Sequence, residues 1–477
     1  MKGVVFVPGI EGTELLYKGS RIWPPDFGDI TGYKKVDQLM DPAHVSAGQV
    51  IDRIDLISGI ICEIIYQTTE EDLQDISKQI NGSTVGPYCP VPYDWRVDLF
   101  SAVDTLATTI ERWYAANPGL SEITIVCHSM GGLLGRLLLE WKYAGGGHHP
   151  TPPWFPMIKR LLCVCTPHLG APKALAESLG LEDVNTIRKA DIRKYTADPN
   201  FPSGYELLPG SSREILYDWN SNTWIKYDDA AVVSALGLTQ ANLNKAKSVA
   251  AALHLSKPPG VPYMFVYGTG LATDDGVGIY GLSLNRAYVY KWPASQPDQQ
   301  GDGVVPAWSI KEAAQSANPK IPTWSGDGDH VGILQTGAFR QQLYAYFGLT
   351  GPARTLATDH AVVVISLNKR VYSPGGTIEG LIIPDIEADI ISGSFFVTRL
   401  DERSKKMVPL GSRREIAYRG GAPIRSLPIT LKAPMLPGAY RVEYVGSDAS
   451  HRTTPRTAGW FAVGAGQISA VGPTPPQ

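Results

Sequence analysis

The stretch ITIVCHSMGGLLGRLLLEW, residues 123–141, joins an apolar, β-branched run directly to a helical pattern, with Ser129 at the junction. This junction constrains the fold, because a strand that turns at once into a helix is the unit of a parallel sheet covered by helices. One explanation of Ser129 is that it caps the helix. The other is a nucleophile elbow, a turn so tight that the serine hydroxyl projects above the sheet edge.

The pattern of a nucleophile elbow is G-x-S-x-G, and residues 127–131 depart from it at one position. Cys127 stands in place of the first glycine, and Gly131 stands at the second. Cysteine is small, so the departure is mild. A match of five residues leaves both explanations of Ser129 open, and the rest of the chain has to decide between them.

Composition excludes several classes of protein. The 477 residues are 43% hydrophobic and 19% charged, as in an ordinary globular protein of more than one domain. A formal net charge of −3 gives no broad basic field, so we expect no nucleic-acid partner. The start, MKGVVFVPG, turns too soon for a signal peptide, and no apolar run is long enough to cross a membrane. With five cysteines that fit small core residues, the sequence predicts a cytoplasmic protein with peripheral membrane contact.

Residues 1–350 alternate strand-like and helix-like runs, which predicts an α/β domain with a mostly parallel sheet. The strand candidates are GVVFVPG, EITIVCHS, IKRLLCVCTP and VPYMFVYGTG, and the helix candidates are DLFSAVDTLATTIERWYAA and GLLGRLLLEWKY. The polar, irregular segment from about 180 to 260 predicts a cap inserted over the site. The loop RIWPPDFGDITGYKK, with Trp23 and Phe27 expected at the surface, predicts a second covering element.

After about residue 350 the chain changes to short alternating strands separated by turn residues. This texture predicts an all-β, immunoglobulin-like sandwich domain over residues 357–465 and a flexible tail over residues 466–477. The segments VYSPGGTIEGLII and LPGAYRVEYV resemble segments of macroglobulin or fibronectin-type β-modules. We expect this module to offer a surface for a protein partner.

A nucleophilic serine needs an acid and a base, and in α/β-hydrolases these follow the serine in the order acid, histidine. GDGVVPAWS places Asp302 in a glycine-flanked turn, and SGDGDHVGIL places His330 before a short apolar helix. Alone, Asp302 fits a turn former and His330 a helix-start residue. Together with Ser129 they predict a catalytic triad, with Asp327 and Asp329 as alternatives for the acid or as a cation site.

Two backbone N–H groups are candidates for stabilising an oxyanion. Met130 follows the serine, and Ile10 lies in PGIEGTEL directly after the first strand, where Gly9 lets the backbone approach the site. A purely structural turn is the alternative for that loop. His128 is predicted to neighbour the nucleophile in sequence only, and the other histidines receive no role in this interpretation.

Six motifs occur in the order PGIEGTEL, VPYDWR, HSMGG, TPHLGAP, GDGVVP and the final His330. This set resembles the lecithin:cholesterol acyltransferase family, which includes lysosomal phospholipase A2 and plant phospholipid:diacylglycerol acyltransferases. The resemblance covers about residues 3–345 and implies an α/β-hydrolase fold and acyl-lipid substrates. It also implies that Ser129, Asp302 and His330 form the triad, with Ile10 and Met130 as oxyanion donors. The PYDWR segment is similar to a structural support near the family's site.

Two features depart from that family. Its secreted members have a signal peptide and a disulfide-pinned lid near the amino terminus, whereas this chain is expected to have neither, its first cysteine being Cys62. The family also has no obvious equivalent of the carboxyl-terminal sandwich.

The sequence therefore predicts a serine-dependent acyl hydrolase, of phospholipase A or lipase type, that forms an acyl-enzyme from ester-linked chains of membrane lipids. Three alternatives stay open: transfer of the acyl group to an alcohol, an esterase for small soluble esters, and an idle hydrolase-fold scaffold that binds a partner through its β-module. We expect no cofactor and no metal.

Overall fold

The computed structural model describes most of the chain. The described residues are 1–25, 33–57, 61–143, 149–182, 187–255, 258, 260–291, 300–351, 363–384, 388–401, 403–404, 406–447, 453, 458–464 and 475.

Six parallel strands form the central sheet. In spatial order they are Thr323–Asp327, Tyr263–Thr269, Ile158–Val164, Glu122–His128, Lys2–Val7 and Tyr88–Pro90. Every neighbouring pair runs parallel. All four strand candidates of residues 1–350 lie in this sheet, so the predicted α/β class with a parallel sheet is confirmed.

The sequence of these strands follows from their burial on both faces. Lys2–Val7 is buried beyond its first residue, and Glu122–His128 likewise. A strand that helices cover on both faces needs a continuous apolar run rather than an alternating one. The runs GVVFV and ITIVC meet this need and pair in register, with Val7 opposite Cys127.

The strand order reverses between Lys2–Val7 and Glu122–His128. From the first strand the chain crosses to Tyr88–Pro90 on one side, and Glu122–His128 then pairs on the other side. In open α/β sheets, ligands bind outside the carboxyl ends of the two strands at such a switch point. Gly9 follows one of these strands and Ser129 follows the other, so both lie at the crevice.

Helices pack against the sheet. The described α-helices are Val36–Leu39, Gln67–Gln79, Leu99–Ala116, Met130–Leu137, Lys173–Ser178, Lys189–Ala197, Ala230–Leu236, Gln240–Ala252, Ala307–Ser316 and Gly337–Tyr346. Short 3-10 helices lie at Phe155–Met157, Tyr205–Leu207 and Gly332–Gln335, and the helix after Ser129 continues as a π-helix over Leu138–Lys142. In the described part of the chain, no helix combines the length and the apolar character needed to cross a membrane.

Smaller sheets surround this core. One is Thr13–Tyr17, Ser20–Trp23 and Val45–Val50, and another is the hairpin Arg53–Ile57 with Ile61–Ile64. A four-stranded sheet consists of Thr223–Trp224, Leu216–Asp218, Asp274–Ile279 and Tyr288–Lys291. The last sheet therefore combines strands from the segment predicted as a cap, about 180–260, with strands that follow it. The two groups share one apolar cluster, which includes Leu216 and Val277.

Trp23 is not at the surface, which corrects the sequence prediction. Its side chain is buried, its ring packs edge-on against Tyr33 and Trp95, and its indole N–H donates to the carbonyl of Glu11 at 2.8 Å. Large size and an indole donor that finds a backbone acceptor make Trp23 a core residue of the amino-terminal region. Phe27 lies outside the described residues.

The carboxyl-terminal β region, residues 363–463, contains two sheets. One is Val363–Leu367, Thr377–Pro384 and Leu427–Lys432, and the other is Val371–Tyr372, Gly459–Val463, Gly438–Gly446, Ala388–Asp401 and Lys406–Ile424. Both contribute to one apolar cluster, for example through Ile378 and Phe461. The β-rich character is confirmed, and the immunoglobulin-like class of the arrangement stays a prediction.

Close backbone packing requires two glycines after Ser129. A Cβ added to Gly131 would lie 2.4 Å from the carbonyl oxygen of Pro8, and one added to Gly132 would lie 2.0 Å from Oγ1 of Thr166. These contacts hold the start of the helix against the ends of two neighbouring strands. A Cβ at Gly135 would lie 2.9 Å from Sγ of Cys127, so Gly135 helps to make room for the cysteine at the first position of the elbow pattern.

We expect Gly131→Ala to lower the free energy of unfolding by about 1–3 kcal/mol, because the new methyl group meets backbone atoms that cannot rotate away. Gly204→Ala is the matched control, since a Cβ there meets nothing within 4 Å and φ is −62°. We expect the control to change the same free energy by less than about 0.5 kcal/mol. Urea unfolding of both variants measures the difference, and equal values would contradict the packing described above.

Candidate active site

Ser129 has the backbone geometry of a nucleophile elbow. Its φ is 52° and its ψ is −129°, a conformation that a residue with a side chain rarely adopts. Its N–H donates to the carbonyl of Val164 on the neighbouring strand at 2.8 Å. Although Ser129 precedes the helix Met130–Leu137, its hydroxyl makes no capping hydrogen bond. The helix-cap explanation of this serine is therefore wrong.

The hydroxyl of Ser129 instead faces His330. Ser129 Oγ lies 2.8 Å from Nε2 of His330, and Nδ1 of His330 lies 2.7 Å from Oδ2 of Asp302. Because a carboxylate only accepts, Nδ1 carries the ring proton, and Nε2 is left to accept from the serine hydroxyl. The structure thus brings together three residues that the sequence analysis selected from motifs far apart in the chain.

Asp302 is held in its ionised form. Burial alone would raise the pKa of its carboxyl group, but the charge and hydrogen bond of His330 outweigh burial and lower that pKa below its ordinary value. The amide N–H groups of Val304 and Val305 add to this effect by donating to Oδ1 at 2.9 and 2.7 Å. One carboxylate oxygen is therefore fixed by the backbone, and the other orients the histidine.

Asp327 and Asp329, the alternatives for the acid, bind other partners. The carboxylate of Asp327 accepts from Thr269 Oγ1 and Ser426 Oγ, both at 2.7 Å. That of Asp329 accepts from the amide of Gly332 at 2.9 Å and from the hydroxyl of Ser366. His330 Nδ1 bonds to Asp302, so the geometry favours Asp302 over either alternative.

The two candidate oxyanion donors belong to Ile10, which follows Gly9, and Met130, which follows Ser129. Gly9 approaches so closely that a Cβ there would lie 2.7 Å from Cβ of Ser129, and Ile10 follows it immediately. Met130 is the first residue of its helix, so its N–H has no acceptor within that helix. This geometry is consistent with N–H donors from both sides of the crevice.

The PYDWR segment supports the loop that contains Ile10. Tyr93 donates from its hydroxyl to the carbonyl of Pro8 at 2.9 Å, and Trp95 donates from its indole to the carbonyl of Thr13 at 3.1 Å. Arg96, 1% exposed, binds Asp94 through two nitrogens. These contacts agree with the expected supporting role of the segment.

His128 contacts the site in space as well as in sequence, which the sequence analysis missed. Its Nε2 lies 2.8 Å from the carbonyl oxygen of His330, and its Nδ1 lies 2.7 Å from the hydroxyl of Tyr66. A carbonyl only accepts, so Nε2 carries the proton and Tyr66 donates to Nδ1. The Tyr66 oxygen in turn accepts the N–H of Gly9 at 2.9 Å. One directional chain of hydrogen bonds therefore links the loop after the first strand to the backbone of His330.

His128 is uncharged over the ordinary pH range. Burial, helped by the nearby His330, lowers the pKa of its imidazole from 6.5 to about 3. Unfolding would restore the ordinary value, so between these two pH values the unfolded chain binds a proton that the folded chain does not. This group therefore makes the fold less stable as the pH falls through that window.

Cys165 completes a cluster of potential metal ligands. Its sulfur, a carboxylate oxygen of Asp302 and a ring nitrogen of His330 lie within 4.8 Å of one another, and this is the group of that kind found among the described residues. Burial raises the pKa of the Cys165 thiol well above its ordinary value, and the thiol also bonds to Asp302. A protonated thiol is a poor metal ligand, so the cluster fits a further donor to Asp302 better than a metal site.

Residues 81–250 match the family model of lecithin:cholesterol acyltransferase. The predicted resemblance is thus confirmed over that range, which contains PYDWR, Ser129 and TPHLGAP but neither Asp302 nor His330. The match supports an acyl hydrolase or acyltransferase in general. The search of curated proteins found no match.

Several solved structures are weakly similar to the chain in sequence and in structure. A metagenomic carboxyl esterase is 15% identical with a TM-score of 0.30, over 70% of this chain and 65% of its own. A gene product of Listeria innocua is 12% identical with a TM-score of 0.31, over 74% of this chain and 96% of its own. A superoxide reductase of Ignicoccus hospitalis is 11% identical with a TM-score of 0.17, over 23% and 88%. Likenesses this weak say nothing further about the chain.

We expect the imidazole of His128 to stay neutral, with its proton on Nε2, from about pH 8 to about pH 4.5. Nitrogen-15 NMR of the histidine rings measures this directly. Tyr66→Phe is the control: loss of the donor to Nδ1 should shift the Nδ1 resonance, and that shift assigns the signal. A His128 signal that titrates near its ordinary pKa of 6.5 would contradict the neutral state that burial imposes on the ring.

Proposed function

We propose that the chain is a serine-dependent acyl hydrolase that acts on ester-linked acyl chains of membrane lipids. The observation that carries this proposal is the aligned set of Ser129 Oγ, the His330 ring and the Asp302 carboxylate, joined at 2.8 and 2.7 Å. A buried serine in a strained backbone conformation, facing a base that an ionised acid orients, is the arrangement of an activated nucleophile.

In the first half of the reaction, Ser129 Oγ attacks the carbonyl carbon of the ester while Nε2 of His330 takes the serine proton. Asp302 stabilises the imidazolium that forms. The negative charge that develops on the carbonyl oxygen is stabilised by the N–H groups of Ile10 and Met130. When the tetrahedral intermediate breaks down, Nε2 gives the proton to the departing alcohol, and the acyl chain stays on Ser129 as an ester.

In the second half, His330 removes a proton from the acceptor, which attacks the acyl-enzyme. The proton then returns through Nε2 to Ser129 as the acyl product leaves. Water as the acceptor gives a fatty acid, and an alcohol gives a new ester. Hydrolysis is the first choice, and the match of residues 81–250 to an acyltransferase family is what supports transfer as the second.

The proposal that the substrate is a membrane lipid is supported by that family match and by the order of the motifs. We propose that the protein contacts the bilayer peripherally. A serine hydrolase for small soluble esters would use the same three residues, but it would gain little when its substrate is presented as a membrane. A catalytically idle scaffold would have no reason to keep Ser129, His330 and Asp302 in hydrogen-bonding register. We also propose that residues 1–350 form the catalytic domain, with a cap at about 180–260.

We expect Ser129→Ala to reduce turnover by at least about 10⁴-fold, because no other group can take the acyl chain. Purified wild-type protein and the variant are incubated with mixed phospholipid vesicles, with and without a long-chain alcohol, and products are identified by mass spectrometry. Fatty acid and lysophospholipid from the wild type alone support hydrolysis, and a new ester supports transfer. An active Ser129→Ala protein would refute the assignment.

Tyr66→Phe should lower kcat about tenfold and leave KM nearly unchanged, because it removes the link between the Gly9 loop and His128 without touching the three reacting side chains. Tyr440→Phe is the control, since Tyr440 is a buried tyrosine of the β region whose hydroxyl donates to the carbonyl of Leu436. Initial rates with a soluble chromogenic ester measure both variants. A loss as large in Tyr440→Phe would mean that Tyr66 acts only through general stability.

A further inference from the structure

The β region reaches the loop that holds His330. Ser366 lies in the strand Val363–Leu367 and is fully buried. Its hydroxyl accepts the backbone N–H of Asp329, the residue before His330, and donates to the carboxylate of the same residue. A single side chain of the β region thus binds both the backbone and the side chain of the neighbour of His330.

Asp329 passes this contact on to the rest of the loop. Its Oδ1 accepts the N–H groups of Val331 at 3.2 Å and Gly332 at 2.9 Å, so the carboxylate closes the turn around His330. Nη2 of Arg370, which is also in the β region, lies 3.4 Å from the same oxygen. The charge of this nearly buried carboxylate is therefore balanced from the β region, and its geometry is fixed by Ser366.

The loop of Asp302 has its own contacts with the β region. Leu271 pairs through its backbone with Gly301 and Asp302, and its side chain lies in one apolar cluster with Val364, Leu381 and Ile383. The loop of Asp302 and the loop of His330 both contact the β region. A shift of that region would therefore move both loops relative to Ser129.

We propose that Ser366 is a positioning residue for His330, so that the β region forms part of the active site and is more than an attached binding module. This inference rests on the proposed function, in which His330 is the base. Ser366 acts through Asp329 and does not contact the reacting atoms. The backbone carbonyl of His330 is already held by His128, and Ser366 supplies the second anchor, on the preceding residue.

The geometry that these anchors protect is sensitive. A displacement of a catalytic group by about 1 Å can reduce a rate about a hundredfold. Without the Ser366 hydroxyl, Asp329 loses an acceptor for its N–H and a donor to its carboxylate, and the loop is free to adopt other conformations. We therefore expect an effect on kcat and on the reactivity of Ser129, and little effect on substrate binding.

The test compares Ser366→Ala with Thr398→Ala in the full-length protein. Thr398 is a matched control, since it is a buried hydroxyl of the β region that donates to the carboxylate of Glu443 at 2.9 Å. Two quantities are measured at a temperature where all variants are folded: kcat and KM with a soluble ester, and the rate at which a fluorophosphonate labels Ser129. For Ser366→Ala we expect kcat and the labelling rate to fall about ten- to a hundredfold with KM within about twofold.

Ser366→Cys is the conservative variant, because a thiol keeps a weak donor and acceptor of similar size. We expect its labelling rate to lie between those of wild type and Ser366→Ala, and it carries the test alone if the alanine variant does not fold. Wild-type rates in folded Ser366→Ala, wild-type rates in Ser366→Cys, or an equal loss in Thr398→Ala would each overturn the inference. If wild-type protein is not labelled at Ser129 at all, the proposed function itself fails.

Discussion

The site depends on the backbone of Ser129, which is held in a conformation that the residue would not adopt on its own. The strain is compensated by packing that leaves no room for another arrangement: Gly131 lies against the carbonyl of Pro8, Gly132 against Thr166, and Gly9 against Ser129 itself. Each of these contacts joins the ends of adjacent parallel strands. The switch point of the sheet therefore determines where the hydroxyl points, and the remaining groups are arranged around it.

Near this turn, one acid is ionised and one histidine is neutral. In both cases the charge state depends on the balance between burial, which favours the uncharged form, and the hydrogen bonds that the group receives. Asp302 is buried but receives two amide donors and the imidazole, so its charge is stabilised. His128 bonds to the hydroxyl of Tyr66 and the carbonyl of His330, so burial outweighs the charge of Asp302 and keeps the imidazole uncharged. A second cation next to His330 would make that residue a weaker base. The neutral His128 thus supports the backbone of His330 without opposing its protonation.

The sequence was most informative where chemistry is local. Ser129, Asp302 and His330 each lie in a short motif of small or turn residues, and the parallel sheet follows from runs that are apolar throughout. The sequence does not predict contacts between distant segments. Tyr66 lies 62 residues from His128, and Ser366 lies 37 residues from Asp329. The burial of Trp23 does not follow from its sequence, because the polar and turn residues of its loop do not show that Tyr33, later in the same loop, and the distant Trp95 pack against it.

The proposed function requires Ser129 to form a covalent ester with the acyl group of its substrate. To test this, the protein is mixed with an activated ester, the reaction is quenched rapidly, and the peptides of the protein are examined by mass spectrometry. We expect an added acyl mass on the peptide that contains Ser129, and its slow disappearance when excess substrate is removed. Product formation with no acylated peptide, or an acyl group on a residue other than Ser129, would contradict it.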